Sequence, residues 1–461
     1  MTDSPASGAL SEEALAAWVR DVTGGELLAM QRRSAGASRA GYAVDVKHDD
    51  GTVTELWLRA DIGVGPQSNG TYTVRREAAV YQALHGRGVS IAEVVAIHPT
   101  AEAFLMRRLI GRNWFSEIRD PRQQVTLATE FMQQLAALHR IDVRELDLPE
   151  LAPVRTVHEH VLDEIDTWDA QYRSQGVDYP LFELALSWLR RNLPADDGHP
   201  VVLVQGDTGP GNFMYDDDGV VAVTDWEMAH FGDFHDDLAW VYVRDVQERF
   251  TDLVERLQDY ERFSGNRVNP ARLRYFLVLA QTRCAIGTRN GLLARDSRTE
   301  MANHLIYSTL HDRLLVEALA GAAGVDLAAV PPVPKAQDGP AAWAFDVALD
   351  DLRDVIVPAV DDGFALRRAK GLARLLKYLR NEQRLGAAAR AAELQGLEQL
   401  LGRSMDDPEI ARREVCRRIV AGEIDDALVV IHCAITQSWA DEIVRDSMGT
   451  LADRRHQPLP G

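Results

Sequence analysis

The alternation of apolar and polar residues in the first quarter of the chain predicts β-strands. Tyr42, Val44 and Val46 occupy every second position, as residues on the buried face of a strand do. Asp50 and Gly51 follow shortly afterwards, and this pair is a common signal for a tight hairpin turn. Comparable runs predict strands at 27–33, 41–47, 52–60, 91–97 and 103–107. We therefore expect a small antiparallel sheet at the start of the chain.

Helical spacing replaces this alternation further along. Apolar residues recur every three or four positions between 74 and 85, where Gly86 supplies a stop signal, and again between 125 and 139. The stretches 155–195 and 245–320 also predict mostly helix. The order of these elements indicates an α+β fold, in which an antiparallel sheet with one helix precedes a mostly helical lobe.

A cluster of prolines at 324–340 marks a domain boundary. Beyond it, helical spacing at 343–360 and 364–379 predicts a small all-α bundle. We therefore predict four segments: an N-terminal lobe at 1–110, a second lobe at 111–325, a proline-rich linker at 326–342 and a C-terminal helical domain at 343–461.

Short apolar runs and turn residues between 201 and 224 predict a strand, a loop and a hairpin. The run at 201–204 is typical of a buried strand, and several glycines then break it into an irregular loop. Two further runs, 213–215 and 220–224, flank Asp218 and Gly219, a second hairpin signal. The return strand of this hairpin is expected to end beside the loop.

Three side chains whose oxygen atoms could bind a metal ion or a proton lie in this loop and at the end of this hairpin. Asp207 and Asn212 lie in the loop, and Asp225 follows the return strand. A magnesium-dependent phosphoryl transfer needs one carboxylate to orient and deprotonate the attacking hydroxyl, with an amide and a second carboxylate to hold the metal. An isolated pair of this spacing would more often be an ordinary polar loop, but the strand, loop and hairpin around it favour the catalytic interpretation.

The segment resembles the catalytic core of the aminoglycoside phosphotransferase and choline kinase superfamily, small-molecule kinases with a bilobal protein-kinase-like fold. The resemblance extends over roughly residues 25–310 and implies ATP and Mg²⁺ as cofactors. It implies that Asp207 is the catalytic base and that Asn212 and Asp225 are magnesium ligands. By the same resemblance, Glu227 is a further acid near the metal and Asp237 braces the loop.

One position departs from this family. Its members commonly have histidine two residues before the catalytic aspartate, where this chain has Gln205. Because that position supports the loop and does no chemistry, we expect activity to survive. A nucleotide-binding regulatory protein with impaired catalysis stays open as an alternative of another class.

The N-terminal lobe contains residues that a nucleotide site requires, so we expect it to bind the nucleotide and the second lobe to carry catalysis. Gly36 and Ser38 lie in a turn of small residues whose backbone amides would face the phosphates. Arg59 ends the third predicted strand, where kinases place a cation on the α and β phosphates, and Glu77 on the next helix is its expected ion-pair partner. Met106 begins the predicted connector between lobes, against whose backbone adenine would pair.

The charge, cysteine content and apolar content of the chain limit the classes of partner that we expect it to bind. The net charge is −20, of which −17 falls on residues 1–340, and such an acidic chain is not expected to bind nucleic acid. Three widely spaced cysteines indicate neither a zinc site nor a disulfide framework. The polar first residues and the lack of a long uninterrupted apolar run predict a cytoplasmic protein without a membrane segment.

The C-terminal segment bears on the phosphate acceptor. A basic stripe follows one helix, formed by Arg367, Lys370, Arg374 and Lys377. It is either a solvated helix face or an anion site, for example for the phosphates of coenzyme A. This segment resembles a helical domain of unknown function found beside kinases associated with acyl-CoA metabolism. We therefore favour a hydroxyacyl-CoA as acceptor and keep an aminoglycoside, a polycation that would suit the acidic lobes, as the alternative.

Overall fold

The computed structural model describes residues 10–33, 39–61, 71–295, 300–335 and 337–460. Its strands are β1 (Glu26–Arg33), β2 (Ala40–Lys47), β3 (Val53–Ala60), β4 (Val94–Ile97), β5 (Ala103–Arg107), β6 (Val202–Val204), β7 (Phe213–Tyr215), β8 (Val220–Val223) and β9 (His230–Gly232). Its α-helices are α1 (Glu12–Thr23), α2 (Val74–Leu84), α3 (Pro121–His139), α4 (Val157–Ser174), α5 (Pro180–Arg191), α6 (Phe234–Gln247), α7 (Leu253–Ser264), α8 (Pro270–Ala294), α9 (Met301–Ala323), α10 (Ala342–Asp351), α11 (Gly363–Leu401), α12 (Pro408–Val420) and α13 (Asp426–Met448).

The first five strands form one antiparallel sheet in the order β1-β2-β3-β5-β4. Tyr42 pairs with Leu58, and Leu58 pairs in turn with Leu105, so these buried residues form a row across the sheet. Leu15, Trp18 and Val19 of α1 pack against that row. The alternation in the sequence thus predicted the strands correctly, because one face of each strand is buried in this core.

The strand, loop and hairpin predicted at 201–224 are also confirmed. Strand β6 pairs with β9, and β7 pairs with β8 through the predicted turn. Helix α6 follows β9 and is buried along almost its whole length. Because α6 packs against β6, it supplies a rigid support for the loop between β6 and β7.

The internal contacts of the chain divide it into two compact units. The first comprises 1–161, 195–273 and 457–461, and the second comprises 162–194 and 274–456. The five-stranded sheet and the β6–β9 region lie in the first unit. In the second, α11 packs against α13, and α13 packs against α9. These units differ from the four segments predicted from the sequence, which remain a prediction.

The helix expected at 343–360 differs from the observed structure. Helix α10 ends at Asp351 and continues as a π-helical turn, Leu352–Ile356, and a 3₁₀ turn, Val357–Ala359. Pro358 has no backbone N–H and cannot continue a regular helix. By contrast, α11 extends far beyond the predicted end at 379, to Leu401, since the added residues are mostly good helix formers.

One helical stretch among the described residues, Asp426–Asp453, is long and apolar enough to cross a membrane by length and composition. It contains α13, which packs against α9 and α11. Core helices pass the same test, so this property is weak evidence for a membrane span.

Candidate active site

The Asp207 loop (residues 205–212) leaves β6 and returns into β7. Its first turn depends on Gly206, whose φ is +89°. A side chain there would also place its Cβ 2.5 Å from the backbone oxygen of Met228, so glycine alone fits without strain. At the other end of the loop, the residue that precedes Asp225 donates its amide to the backbone oxygen of Asn212 at 2.9 Å. The β7–β8 hairpin therefore brings Asn212 and Asp225 side by side.

The Asp207 side chain is held by the amide of Asn212. Nδ2 of Asn212 lies 2.6 Å from Oδ2 of Asp207 and donates to it, and it donates also to the backbone oxygen of Asp207. Burial raises the pKa of Asp207 to about 6, an effect that the guanidinium of Arg244 opposes and the carboxylate of Asp225 reinforces. A carboxylate with this pKa is still ionised at neutral pH but binds a proton more readily than an ordinary aspartate.

Arg244 is a site residue that the sequence did not reveal. Its Nη1 lies 3.6 Å from Oδ2 of Asp207, Nη2 donates to Oδ1 of Asn212 at 3.4 Å and Nε donates to the backbone oxygen of Pro210 at 3.2 Å. A Cβ on Gly211 would lie 2.5 Å from Nη2 of Arg244. The glycines of the loop thus make room for this cation, which comes from α6, more than thirty residues away in the sequence.

Arg59 connects three acids at the edge of the site. Its Nε lies 2.8 Å from Oε2 of Glu77, and its Nη2 lies 2.8 Å from Oδ1 of Asp225 and 2.9 Å from Oε2 of Glu227. Burial raises the pKa of Glu77 to about 8 and that of Glu227 to about 7, and the Arg59 charge opposes both shifts. The predicted Arg59–Glu77 ion pair is therefore present, and Arg59 neutralises two further acids as well.

Gln205 fixes the backbone of Asp225. Its Nε2 donates to the backbone oxygens of Thr224 at 2.9 Å and of Asp225 at 2.7 Å, and its Oε1 accepts from the amide of Asp207 at 2.8 Å. Asp225 has φ +61° and ψ +60°, a left-handed conformation that is uncommon for any residue except glycine. The primary amide of Gln205 thus links the proposed base to the proposed metal ligand and stabilises the unusual conformation of the latter.

Asp237 supports the Asp207 loop through hydrogen bonds, as expected from the sequence. Its fully buried carboxylate accepts four hydrogen bonds: from the amides of Gln205 and Gly206, the hydroxyl of Thr208 and Nε2 of His139. Nδ1 of His139 is bonded in turn to the hydroxyl of Tyr260 at 2.9 Å. Burial alone would raise the pKa of Asp237, but the hydrogen bonds, with that from His139 first, lower it below its usual range.

The structure brings most of the predicted site residues together. The group consists of Asp207, Asn212, Asp225, Glu227, Arg59 and Glu77. Met106 lies in β5 itself, opposite Trp57 of β3, and is buried. Gly36 and Ser38 lie outside the described residues. The role of each residue in binding nucleotide or metal stays a prediction.

The donor atoms at this site suit magnesium. Mg²⁺ prefers oxygen ligands from carboxylates, amides and phosphates, and Asn212, Asp225 and Glu227 offer such oxygens beside Asp207. Because Nδ2 of Asn212 faces Asp207, a cation would take its Oδ1, in place of the long hydrogen bond that Arg244 now donates to that atom at 3.4 Å. The residues therefore fit the metal that the resemblance implies.

Within the described residues, a second group of possible metal ligands consists of His199, Asp233 and His235. Other partners already occupy these atoms. Nη2 of Arg272 lies 2.7 Å from Oδ2 of Asp233, and the amide of Asn269 donates to Nε2 of His235 at 2.9 Å. Both oxygens of Asp233, Oδ1 through His235 and Oδ2 through Arg272, and Nε2 of His235 thus have partners within the chain, so we assign this group a structural role.

Comparisons with known proteins agree with this geometry. The phosphotransferase enzyme family matches residues 64–276. A crystal structure from Ralstonia eutropha JMP134, provisionally assigned as an aminoglycoside phosphotransferase, has 20% identity and a TM-score of 0.51, and the alignment covers 65% of this chain and 94% of that chain. The structural match confirms the kinase-like fold, and the family match over residues 64–276 agrees with the predicted resemblance to phosphotransferases.

Two curated relatives that match this chain are named as dehydrogenase family members and not as phosphotransferases. Acyl-CoA dehydrogenase family member 11 of Rattus norvegicus is 27% identical over 183 residues, which cover 36% of this chain and 22% of that protein. Acyl-CoA dehydrogenase family member 10 of Mus musculus is 24% identical over 180 residues, which cover 37% of this chain and 16% of that protein. The chain thus spans about a fifth of the length of these relatives.

The bonds of Gln205 lead to a prediction about magnesium dependence. Gln205→Glu replaces a donor by an oxygen that faces two backbone oxygens, and the loss of a buried hydrogen bond costs about 1–3 kcal/mol. We expect the Mg²⁺ concentration for half-maximal phosphoryl transfer to rise about tenfold or more, while Gln205→His, which keeps a donor, retains activity within a few fold. Magnesium titration of ADP formation checks this. Equal magnesium dependence in wild type and Gln205→Glu would contradict the linking role.

Asp237→Asn is expected to destabilise the protein at neutral pH by about 1–3 kcal/mol, because the new amide group places N–H hydrogens opposite buried donors that now bond to the carboxylate. Since the folded-state pKa of Asp237 is lowered, its stabilisation is complete above the ordinary aspartate pKa of about 3.9 and is lost as the pH falls through the folded-state pKa. Urea unfolding at several pH values should show that the difference in unfolding free energy between wild type and Asp237→Asn becomes smaller in acid. The control Asp217→Asn, at an exposed position of the β7–β8 turn, should change little at any pH.

Proposed function

We propose that this protein transfers the γ-phosphoryl group of ATP, with Mg²⁺, to the hydroxyl of a small molecule. One observation carries the proposal: Asp207 and Asn212 meet Asp225 in a site that also contains Arg59. Carboxylate, amide and second carboxylate are what such a transfer requires of the protein. The match of residues 64–276 to the phosphotransferase enzyme family supports the same reaction class.

In this proposal each side chain has a distinct task. The acceptor oxygen attacks the γ-phosphorus, the bond from that phosphorus to the β-phosphate oxygen breaks, and Asp207 takes the acceptor proton. Asn212 orients the Asp207 carboxylate through the hydrogen bond at Oδ2. Arg244 and Arg59 lie on either side and offset negative charge on the phosphates. Mg²⁺, held by Asn212 and Asp225 when bound, would supply further charge neutralisation at the phosphates.

For the acceptor we favour a hydroxyacyl-CoA. The two curated relatives are named as acyl-CoA dehydrogenase family members, and their similarity covers about a third of this chain. An aminoglycoside is the second candidate, because the acidic residues of 1–340 would attract a polycation. We place the protein in the cytoplasm, where ATP is abundant, without a nucleic-acid or membrane partner.

A regulatory protein that binds nucleotide without catalysis is the alternative of another class. It was suggested by the replacement of the family histidine with Gln205. The observed bonds of Gln205 to Asp207, Thr224 and Asp225 weigh against it, since the replacement still supports the loop.

Separate tests of binding and transfer distinguish these roles. Asp207→Ala should retain MgATP binding by calorimetry but lower turnover by about a hundredfold or more, because general bases contribute about that much. Asp225→Ala should lose the magnesium-dependent part of nucleotide binding as well as turnover. Asp217→Ala, the same change at an exposed position of the nearby turn, is the matched control. A near-normal rate in Asp207→Ala would remove the assignment of the base.

The acceptor is tested by incubating the protein and MgATP with a hydroxyacyl-CoA, the corresponding free hydroxy acid or an aminoglycoside. Of the three acceptors, we expect only the hydroxyacyl-CoA to give ADP release above background. Mass spectrometry should then detect its phosphorylated product. The Asp207→Ala variant corrects for contaminating kinases. Transfer to the aminoglycoside would replace the acceptor assignment, whereas MgATP binding without transfer to any acceptor would favour the regulatory alternative.

A further inference from the structure

Residues 457–460, the last that the structure describes, belong to the first unit, although residues 274–456 belong to the second. Gln457 attaches them to the first unit. Its Nε2 donates to Oδ1 of Asp245 at 3.0 Å and to the backbone oxygen of Thr251 at 2.8 Å. Its Oε1 accepts from the amide of Leu253 at 3.1 Å. The side-chain amide of Gln457 thus uses both of its N–H donors and its carbonyl oxygen.

The hydrogen bonds of Gln457 join the end of α6 to the start of α7. Asp245 is fully buried in the last turn of α6, and Leu253 is the first residue of α7. An amide at the first position of a helix has no partner within that helix, and Gln457 supplies one for Leu253. The Asp245 carboxylate also accepts from the amide of Phe250 at 2.9 Å and pairs with Arg249. Asp245 is therefore the centre of this junction.

The last turn of α6 also carries Arg244, the neighbour of Asp245 in the chain. Nη1 of Arg244 lies 3.6 Å from Oδ2 of Asp207, and its Nη2 donates to Oδ1 of Asn212 at 3.4 Å. These contacts are long, so a small displacement of the turn would remove them. Asp237 lies about two turns earlier in the same helix. Arg244 therefore depends more than Asp237 does on whatever fixes the end of α6.

Apolar packing alone does not fix the orientation of this turn. Phe250, which follows α6, packs against the rings of Phe115, Phe131 and Phe213, with ring centroids 4.7–6.2 Å apart. The burial of such rings is non-directional. Hydrogen bonds, by contrast, require a nearly linear arrangement of donor and acceptor. The three bonds of Gln457 therefore restrain the direction in which the last turn of α6 points.

We propose that Gln457 is a positioning residue for phosphoryl transfer. By fixing Asp245, it keeps the last turn of α6 in the orientation that places Arg244 beside Asp207. It acts through α6 and takes no part in the chemical step. Its effect on turnover rests on the function proposed above, whereas its effect on α6 and on the Asp207 loop does not.

Gln457→Met in the full chain tests the proposal, because methionine keeps the length of the side chain but makes none of the three hydrogen bonds. Hydrogen–deuterium exchange followed by mass spectrometry should be about tenfold faster in residues 244–250 and in the Asp207 loop, since local opening becomes easier when such bonds are lost. Exchange in β2 should stay unchanged. Gln258→Met, the same change at an exposed position of α7, is the control and should alter none of these regions.

Steady-state kinetics distinguishes positioning from a purely structural role. At a temperature where urea unfolding shows every variant to be folded, Gln457→Met should lower kcat about tenfold. The KM for MgATP should change less than about threefold, because a misplaced charge beside the reacting atoms acts mainly on the transition state. A purely structural residue would lower stability without this split between kcat and KM.

An exchange of polarity tests the bond to Asp245 directly. Gln457→Glu places a carboxylate opposite Asp245 and should have a larger effect than Gln457→Met. Gln457→Glu combined with Asp245→Asn restores a donor between the two side chains and should recover part of the lost kcat. A double variant no better than Gln457→Glu alone overturns the proposal.

The exchange data remain decisive if the wild type transfers phosphate to no acceptor. The proposed function then fails, but faster exchange of the Asp207 loop in Gln457→Met still supports the positioning role. Unchanged exchange in residues 244–250, or faster exchange confined to them, overturns it. In an active enzyme, faster exchange with an unchanged kcat overturns it as well.

Discussion

Repulsion between four carboxylates is the constraint on which this site depends. Asp207 and three further acids share one small region, and burial penalises the charge on several of them. Two arginines make the arrangement possible: Arg59 contacts the three further acids, and Arg244 lies beside Asp207. Lysine could not replace Arg59 equivalently, because one ammonium group lacks the spread of donors on a guanidinium. Any cation that takes Asp225 as a ligand must compete with Arg59 for its carboxylate.

A frame of hydrogen bonds holds these charges in position. Asp237 accepts from the start of the Asp207 loop, and Gln205 connects that loop to the backbone of Asp225. Gln205 replaces a family histidine, yet its amide offers a donor and an acceptor at the same time, as a neutral imidazole does. Its charge does not change with pH. The loop geometry in this chain should therefore be less sensitive to acid at this position than a histidine would make it.

The sequence correctly predicted those features that depend on short sequence patterns and on the order of the elements. The strands, the β7–β8 hairpin and the Arg59–Glu77 pair followed from alternation, turn residues and element order. Arg244 was missed because α6 brings it to Asp207 through tertiary packing, which no spacing reveals. The break after α10 was missed although Pro358 was visible, because helical spacing was weighted above the missing N–H. The bonds of Gln205 needed the relative placement of loop and hairpin.

The C-terminal helices change how the acceptor should be inferred. The basic stripe of α11 first suggested a site for the phosphates of coenzyme A, but the acidic block of α10 lies beside it and would repel them. Arg367 also lies 3.8 Å from Glu300, and Arg374 donates to Asn303 at 2.7 Å, so part of the stripe already has partners within the chain. Support for an acyl-CoA acceptor then comes from the named relatives and no longer from the charge of this helix.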